Sequence, residues 1–121
     1  MTEFDPRCHD LLNDIYTSAK RIVDRLQKET LESFTDEANM DAQDIVAWRL
    51  AIIGEAASVL LKKCPEFCES NPEILLQQAR SMRNLLVHEY SNIIWQVIWD
   101  TVQEQLPQLI DAIEPFLSKE E

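Results

Sequence analysis

The sequence predicts an all-α protein, an antiparallel, up-and-down bundle of four or five helices, and three observations carry that prediction. Apolar residues recur at three- and four-residue steps along almost the whole chain, the pattern of helices that each bury one stripe. The breaks between stripes are short and marked by proline or by clusters of Asp, Asn, Ser and Thr, as in bundles whose consecutive helices run antiparallel. The single glycine, Gly54, sits inside a helical pattern, so a sheet joined by glycine turns is disfavoured.

Asp5-Pro6 reads as an N-cap followed by proline at the first helical position. Leu12, Ile15, Ala19, Ile22 and Leu26 then form the stripe of a first helix. Thr30 to Met40 is acidic, rich in Ser, Thr and Asn, and weakly periodic, and is expected to connect. A second long helix is expected from near Asp41 to Lys63, with Ile45, Trp48, Ile52 and Val59 as its stripe and Ala56, Leu60 and Leu61 alongside. Cys64-Pro65 ends it, because the residue before proline is pushed out of helical space. Asn71-Pro72-Glu73 repeats the cap signal and opens a third helix with Leu75, Ala79, Met82 and Leu86 inward. A fourth follows from about Ile93 to Gln105 on Ile94, Val97, Ile98, Thr101 and Val102. Pro107 is expected to start a short last helix on Ile110, Ile113 and Leu117.

The chain of 121 residues suits one domain, residues 1–121. Eleven Lys and Arg face 22 Asp and Glu, a formal charge of −11. That excludes a general basic coat for nucleic acid or membrane, so a polyanion must find a local positive patch. Phosphate-cradling loops need several glycines, which disfavours Walker-type ATPases, Rossmann enzymes and nucleotidyltransferases. No apolar run is long enough to span a bilayer, and the first residues lack the features of a signal peptide. A cytoplasmic location is expected, and the three cysteines read as thiols.

Chemistry concentrates near one of the two histidines. His9 sits among Arg7, Cys8 and Asp10 and reads as an exposed side chain. His88, by contrast, ends a stretch from Ile74 that holds no acid but contains Arg80 and Arg83. Asn84 and His88 are four residues apart and share a helix face, so the amide can fix the ring's tautomer. Arg80 stands four before Asn84. Arg83 and His88 are five apart, about 140° around the axis. They converge if the arginine wraps round, if the helix loosens near Tyr90, or if two copies of the helix meet across a dimer, the favoured arrangement. A neutral imidazole moves protons near pH 7, and a guanidinium stabilises a phosphate as charge builds on it. Together they suit RNA, whose 2′-hydroxyl can attack the adjacent phosphate, and not DNA. Glu55 lies on the stripe of the second helix and is expected either to be buried with an arginine partner, Arg83, or to sit solvated at the stripe's edge. A metal set of Cys8, His9, Cys64 and Cys68 matches no common zinc spacing.

Arg83-Asn84-Leu85-Leu86-Val87-His88-Glu89-Tyr90 resembles the Arg-x4-His-x-Tyr signature of the HepT-like toxins, HEPN-domain proteins (higher eukaryotes and prokaryotes nucleotide-binding). Ile52-Ile53-Gly54-Glu55-Ala56-Ala57, Pro72, and Trp99 with Leu106-Pro107-Gln108-Leu109 resemble further segments of that family in the same order. The resemblance implies a helical fold that forms a homodimer, with the motifs of both protomers lining one cleft. It implies a metal-independent endoribonuclease toxin with no cofactor, with Arg83 and His88 catalytic and Asn84 in the polar position beside the arginine. It also implies a minimal nucleotidyltransferase antitoxin as partner, which attaches AMP to the motif tyrosine, here Tyr90. Leu76 and Ile94 depart from the family pattern, where tryptophan and an acid are frequent.

Two other readings remain open at the level of sequence. The same fold can hold a nucleotide or RNA end at Arg83 and His88 without cutting it. Alternatively, an apolar Ile93-Ile94-Trp95-Trp99 surface can dock a partner helix, with the motif serving structure.

Overall fold

A computed structural model describes residues 6–88 and 90–118. Among them are six α-helices and one 3-10 turn, with no strand. The helices are α1 (Pro6–Leu26), α2 (Leu31–Thr35), α3 (Met40–Lys63), α4 (Pro65–Ser70), α5 (Leu76–His88) and α6 (Trp95–Ser118). The 3-10 turn, Tyr90–Asn92, joins α5 to α6. The four long helices form the all-α bundle. α1 lies between α3 and α6, and α5 packs on the other flank of α3.

In α1 the expected stripe is the buried one: Leu12, Ile15, Ala19, Ile22 and Leu26 are all sealed from solvent. The capping residue Asp5 lies outside the described residues. Tyr16 Oη donates to Glu114 Oε2 at 2.9 Å, tying the middle of α1 to the end of α6.

The expected first connection contains a helix, α2. Thr30 and Ser33 cap it reciprocally, each side chain bonding the other's backbone N–H, so two orphan amides are satisfied within five residues. Phe34, fully buried, anchors it against Trp95 and Trp99 with ring centroids 5.9 and 5.5 Å away. Packing has overridden a weak local pattern.

Beside α2, Glu29 accepts hydrogen bonds from Ser33 Oγ at 2.6 Å, Arg25 Nη1 at 2.6 Å and Asn39 Nδ2 at 2.8 Å. The Ser33 hydroxyl first, then Arg25, hold its carboxyl below the ordinary 4.5, against a smaller opposing effect of desolvation. A carboxyl depressed in the fold contributes stability above its unfolded pKa and loses it as pH falls through its folded pKa. Thermal melts should therefore show the Glu29→Gln variant less stable than the parent near neutrality. The difference should shrink as pH drops below the carboxylate range, and a pH-independent difference would contradict the charge assignment.

Helix α3 ends at Lys63, as Cys64-Pro65 predicts, but its inward face differs from the expected one. Ala42, Val46, Leu50, Ile53, Ala57 and Leu60 are buried, whereas Ile45 and Trp48 are exposed and Ile52 and Val59 half-exposed. Both stripes satisfy helical spacing. The small residues of the first let neighbouring helices approach closely, and that decides which faces the core.

Three further boundaries shift. Pro65–Ser70 forms the short α4, and α5 begins at Leu76, beyond the Asn71-Pro72-Glu73 signal. The two expected last helices are one, α6, which runs through Pro107 and Pro115. Both prolines face solvent while Leu106, Leu109, Ile110 and Ile113 stay buried, so packing on either side offsets the lost backbone bond. Ile98 and Val102 are buried on α6 as expected, but Ile94 and Val97 are exposed.

The cysteines also depart from expectation. Antiparallel packing of α1 on α3 brings Cys8 and Cys64 together, both buried, and the structure joins them as a disulfide with Cα atoms 6.7 Å apart. Cys68 is the free thiol, and burial raises its pKa. No described helix is long and apolar enough to cross a membrane.

Candidate active site

The site is built on α5, which lies within the acid-free stretch 74–88. Leu76 and Leu86 are buried, and Ala79, Met82 and Arg83 half-buried, so this edge of the helix seats it on α3.

The two helices meet at Gly54. A β-carbon there would run into the base of the Arg83 side chain and come 2.8 Å from the Ala79 carbonyl oxygen. A real Cβ does not tolerate that contact, so the absent side chain is what lets the α5 backbone approach. The one glycine of the chain thus fixes where the arginine stands. Replacing Gly54 by Ala should push α5 outward at a cost of about 1–3 kcal/mol, the usual range for overpacking, read as a lower denaturant midpoint with unchanged slope. A variant as stable as the parent would show that the crossing is looser than described.

Two polar groups hold the guanidinium. Arg83 Nη2 lies 3.5 Å from Glu55 Oε1 on α3, and Nη1 donates to Asn84 Oδ1 at 3.1 Å. Glu55 is the expected partner, in the solvated of its two expected settings. Its side chain is 61% exposed, and that of Arg83 is 36% exposed. An ion pair this open is worth well under about 1 kcal/mol, so it orients the arginine more than it stabilises the fold. The burial expectation fails because it rested on the stripe of Ile45, Trp48 and Ile52, which is an outer face. Arg83 therefore stands at the border of an exposed apolar stripe, with Glu55 between them.

The other site residues lie on the outward side of α5. Arg80, Asn84 and His88 are exposed, and Arg80 Nη2 donates to Gln77 Oε1 at 2.8 Å. Asn84 stands between Arg83 and His88 around the helix, about 100° from the first and 40° from the second. Its amide oxygen is turned to the guanidinium. α5 stays helical through His88, so Arg83 and His88 remain about 140° and 7.5 Å apart along one straight helix. Arg83 and Tyr90, seven residues apart, would share a face of a continuous helix, but the backbone changes to a 3-10 turn at Tyr90, so that row ends at His88. The Tyr90 side chain and Glu89 lie outside the described residues.

Among the described residues, no group of His, Cys, Asp and Glu is arranged to hold a metal ion. The set of Cys8, His9, Cys64 and Cys68 is broken by the Cys8–Cys64 disulfide, and His9 is half-buried where exposure was expected. Of the surface on Ile93, Ile94, Trp95 and Trp99, only Ile94 is fully exposed; the others pack against the core.

Two features escaped sequence reasoning. Gly54 was informative only through what its rarity excluded, although a lone glycine amid alanines in a helix is a mark of close helix approach. The exposed face of α3 was assigned to the core, because periodicity reports that a stripe exists and not which stripe is covered.

With this geometry in place, comparisons with known proteins are informative. The family model described as Ribonuclease HepT-like matches residues 15–116, which contain Gly54, Glu55, Arg83, Asn84, His88 and Tyr90. The chain is 28% identical over 109 residues to a protein of Caldanaerobacter subterraneus subsp. tengcongensis, covering 90% of this chain and 93% of that one. It is 31% identical over 107 residues to one of Methanocaldococcus jannaschii, covering 88% and 84%. Both relatives are provisionally named as RNases. It is 33% identical over 106 residues to a protein of Thermococcus cleftensis named "Probable ribonuclease HepT", covering 87% and 91%. No solved structure matches it. The chain belongs to the ribonuclease HepT-like family of HEPN-domain proteins.

Proposed function

We propose that the protein is a metal-independent endoribonuclease of the toxin type, cutting RNA with Arg83 and His88 in a cleft formed by two copies of the chain. The observation that carries the reading is the composition and exposure of α5 within a family-matched chain. In a protein with twice as many acids as bases, one acid-free helix presents an exposed imidazole and a guanidinium fixed from two sides.

In this reading His88 takes the proton of a ribose 2′-hydroxyl, whose oxygen attacks the neighbouring phosphorus. The bond to the 5′-oxygen breaks, and that oxygen receives a proton in return. Arg83 stabilises the charge that gathers on the phosphoryl oxygens, and Asn84 holds the guanidinium on the side nearer the imidazole.

Two observations support the dimer. Arg83 and His88 lie on different faces of one straight α5, so a second copy offers the direct way to complete the pair. The stripe of Ile45, Trp48, Ile52 and Val59 supplies an unpartnered apolar face beside Arg83, of the kind that marks an interface. A nucleotidyltransferase antitoxin would silence the enzyme by attaching AMP to Tyr90, adding negative charge and bulk at the end of α5. RNA and that antitoxin are the partners in this account.

Purified protein incubated with transfer RNA in the presence of a chelator should cut it, and His88→Ala should lower the rate by about 10²- to 10⁴-fold, the usual worth of a general base. No cutting by the parent, with RNA still bound, would favour a binding module instead.

A further inference from the structure

Helices α5 and α6 do not pack closely against one another, and the groove between them belongs to nothing described so far. Its walls are Gln77, Gln78, Ser81 and Leu85 from α5 and Thr101 and Gln105 from α6. Met82 also lines it, and the groove is a wide, open one of about 430 Å³.

Three properties of the groove narrow what it can hold. None of the residues lining it is charged, in a chain where 22 of 121 residues are acids, so an anionic strand meets no repulsion from its walls. Three glutamines line it, two from α5 and one from α6. An amide donates and accepts at once, as a base edge requires, and with the Gln77 oxygen already accepting from Arg80, Gln78 and Gln105 face each other across the groove as the pair for a base. Met82 and Leu85 add apolar surface to the lining, on which a ring can pack. The groove also has a direction. Around α5, Gln77, Ser81 and Leu85 fall within about 60° of His88, and Leu85 precedes His88 by one turn, about 4.5 Å along the axis. A strand lying in the groove would pass the imidazole at its end.

We infer that the groove between α5 and α6 is a base-binding subsite that takes an unpaired adenine of the RNA, held by the amides of Gln78 and Gln105, about two or three nucleotides from the cleaved phosphate, because Gln78 stands about 15 Å along α5 from His88. Adenine is the base that a glutamine amide reads with two hydrogen bonds at once, and single-stranded RNA is recognised through splayed bases bonded at their edges and stacked on side chains. The inference rests on the ribonuclease reading for the phosphate, but the adenine pocket stands on its own geometry.

The test uses the full-length protein and two measurements. In the first, short unpaired oligoadenylate and oligouridylate, and AMP alone, are titrated into the His88→Ala variant with and without Gln78→Leu. Gln78 is exposed, and leucine keeps its length and helix preference, so folding is preserved and is checked by circular dichroism. Oligoadenylate should bind about tenfold more tightly than oligouridylate, and Gln78→Leu should remove that preference. If AMP alone shows the full preference, the adenine source is a free nucleotide, and the placement along RNA is overturned. In the second, parent and Gln105→Leu cut RNAs that differ only in the base about two or three nucleotides from the cleavage point. The parent should favour adenine about tenfold and the variant should not. Cutting without base preference would overturn the groove while leaving the ribonuclease reading intact. Adenine binding in the first measurement without cutting in the second would do the reverse.

Discussion

Arg83→Ala should give a protein that is folded and dimeric yet cuts RNA about 10²- to 10³-fold more slowly, the usual loss when one group that stabilises transition-state charge is removed. The structure separates the two effects. Arg83 bonds only exposed partners, Glu55 at 3.5 Å and Asn84 at 3.1 Å, and open ion pairs contribute at most about 1 kcal/mol. A residue whose guanidinium serves the fold would behave the other way, with a large drop in melting temperature and little change in rate. Arg83→Lys sharpens the comparison. Lysine keeps the charge but loses the planar fork that grips two phosphoryl oxygens, so its rate should stay much closer to that of alanine than to the parent. If lysine restores activity, the arginine supplies only charge, and the positioning by Asn84 and Glu55 is irrelevant to the reaction.

The second large effect is expected at Trp48. This side chain is 66% exposed on α3, on the face shared with Ile45 and with Glu55, the partner of Arg83. Burying a tryptophan at a dimer interface is among the largest single contributions to association, and a charge in its place would have to be desolvated there. Trp48→Glu should therefore leave the monomer about as stable as before, because most of the residue lies in solvent, while sedimentation shows the dimer lost. Activity should fall with dimerisation and return partly as protein concentration is raised. A Trp48→Glu protein that remains dimeric would move the interface to another face, and one that is monomeric and fully active would remove the need for a dimer.

How far the sequence reaches is clear from these same residues. Helix α1 could be read almost completely, because its one apolar stripe at helical spacing has no competitor. In α3 two stripes compete, and the one rich in bulky residues, Ile45 and Trp48, looks more like a core than Ala42, Ala56 and Ala57 do. Only the neighbouring helices decide between them, and they favour the small residues that allow close approach. The partnership of Glu55 with Arg83 was legible, since both lie near the middle of their helices in antiparallel neighbours. Its exposure was not, because it inherits the orientation of the stripe. Pro107 and Thr30 show the converse, where local signals for a break were overruled by burial of Leu106, Leu109 and Phe34. The disulfide of Cys8 and Cys64 depends on a separation of 56 residues in sequence, which no local pattern reports. The catalytic candidates themselves were legible as chemistry, an acid-free window with Arg, Asn and His, but the angle between Arg83 and His88 left open which chain supplies which group.

That ambiguity can be tested by mixing. Arg83→Ala and His88→Ala proteins, each inactive alone, are combined, allowed to exchange subunits, and assayed on RNA with a chelator present. If one copy's arginine works with the other's histidine, each mixed two-fold dimer regains one intact site of two, and about one quarter of the parental activity should return. If the mixture stays as inactive as its components although mixed dimers form, the two groups do not meet across the interface, and the shared cleft is contradicted.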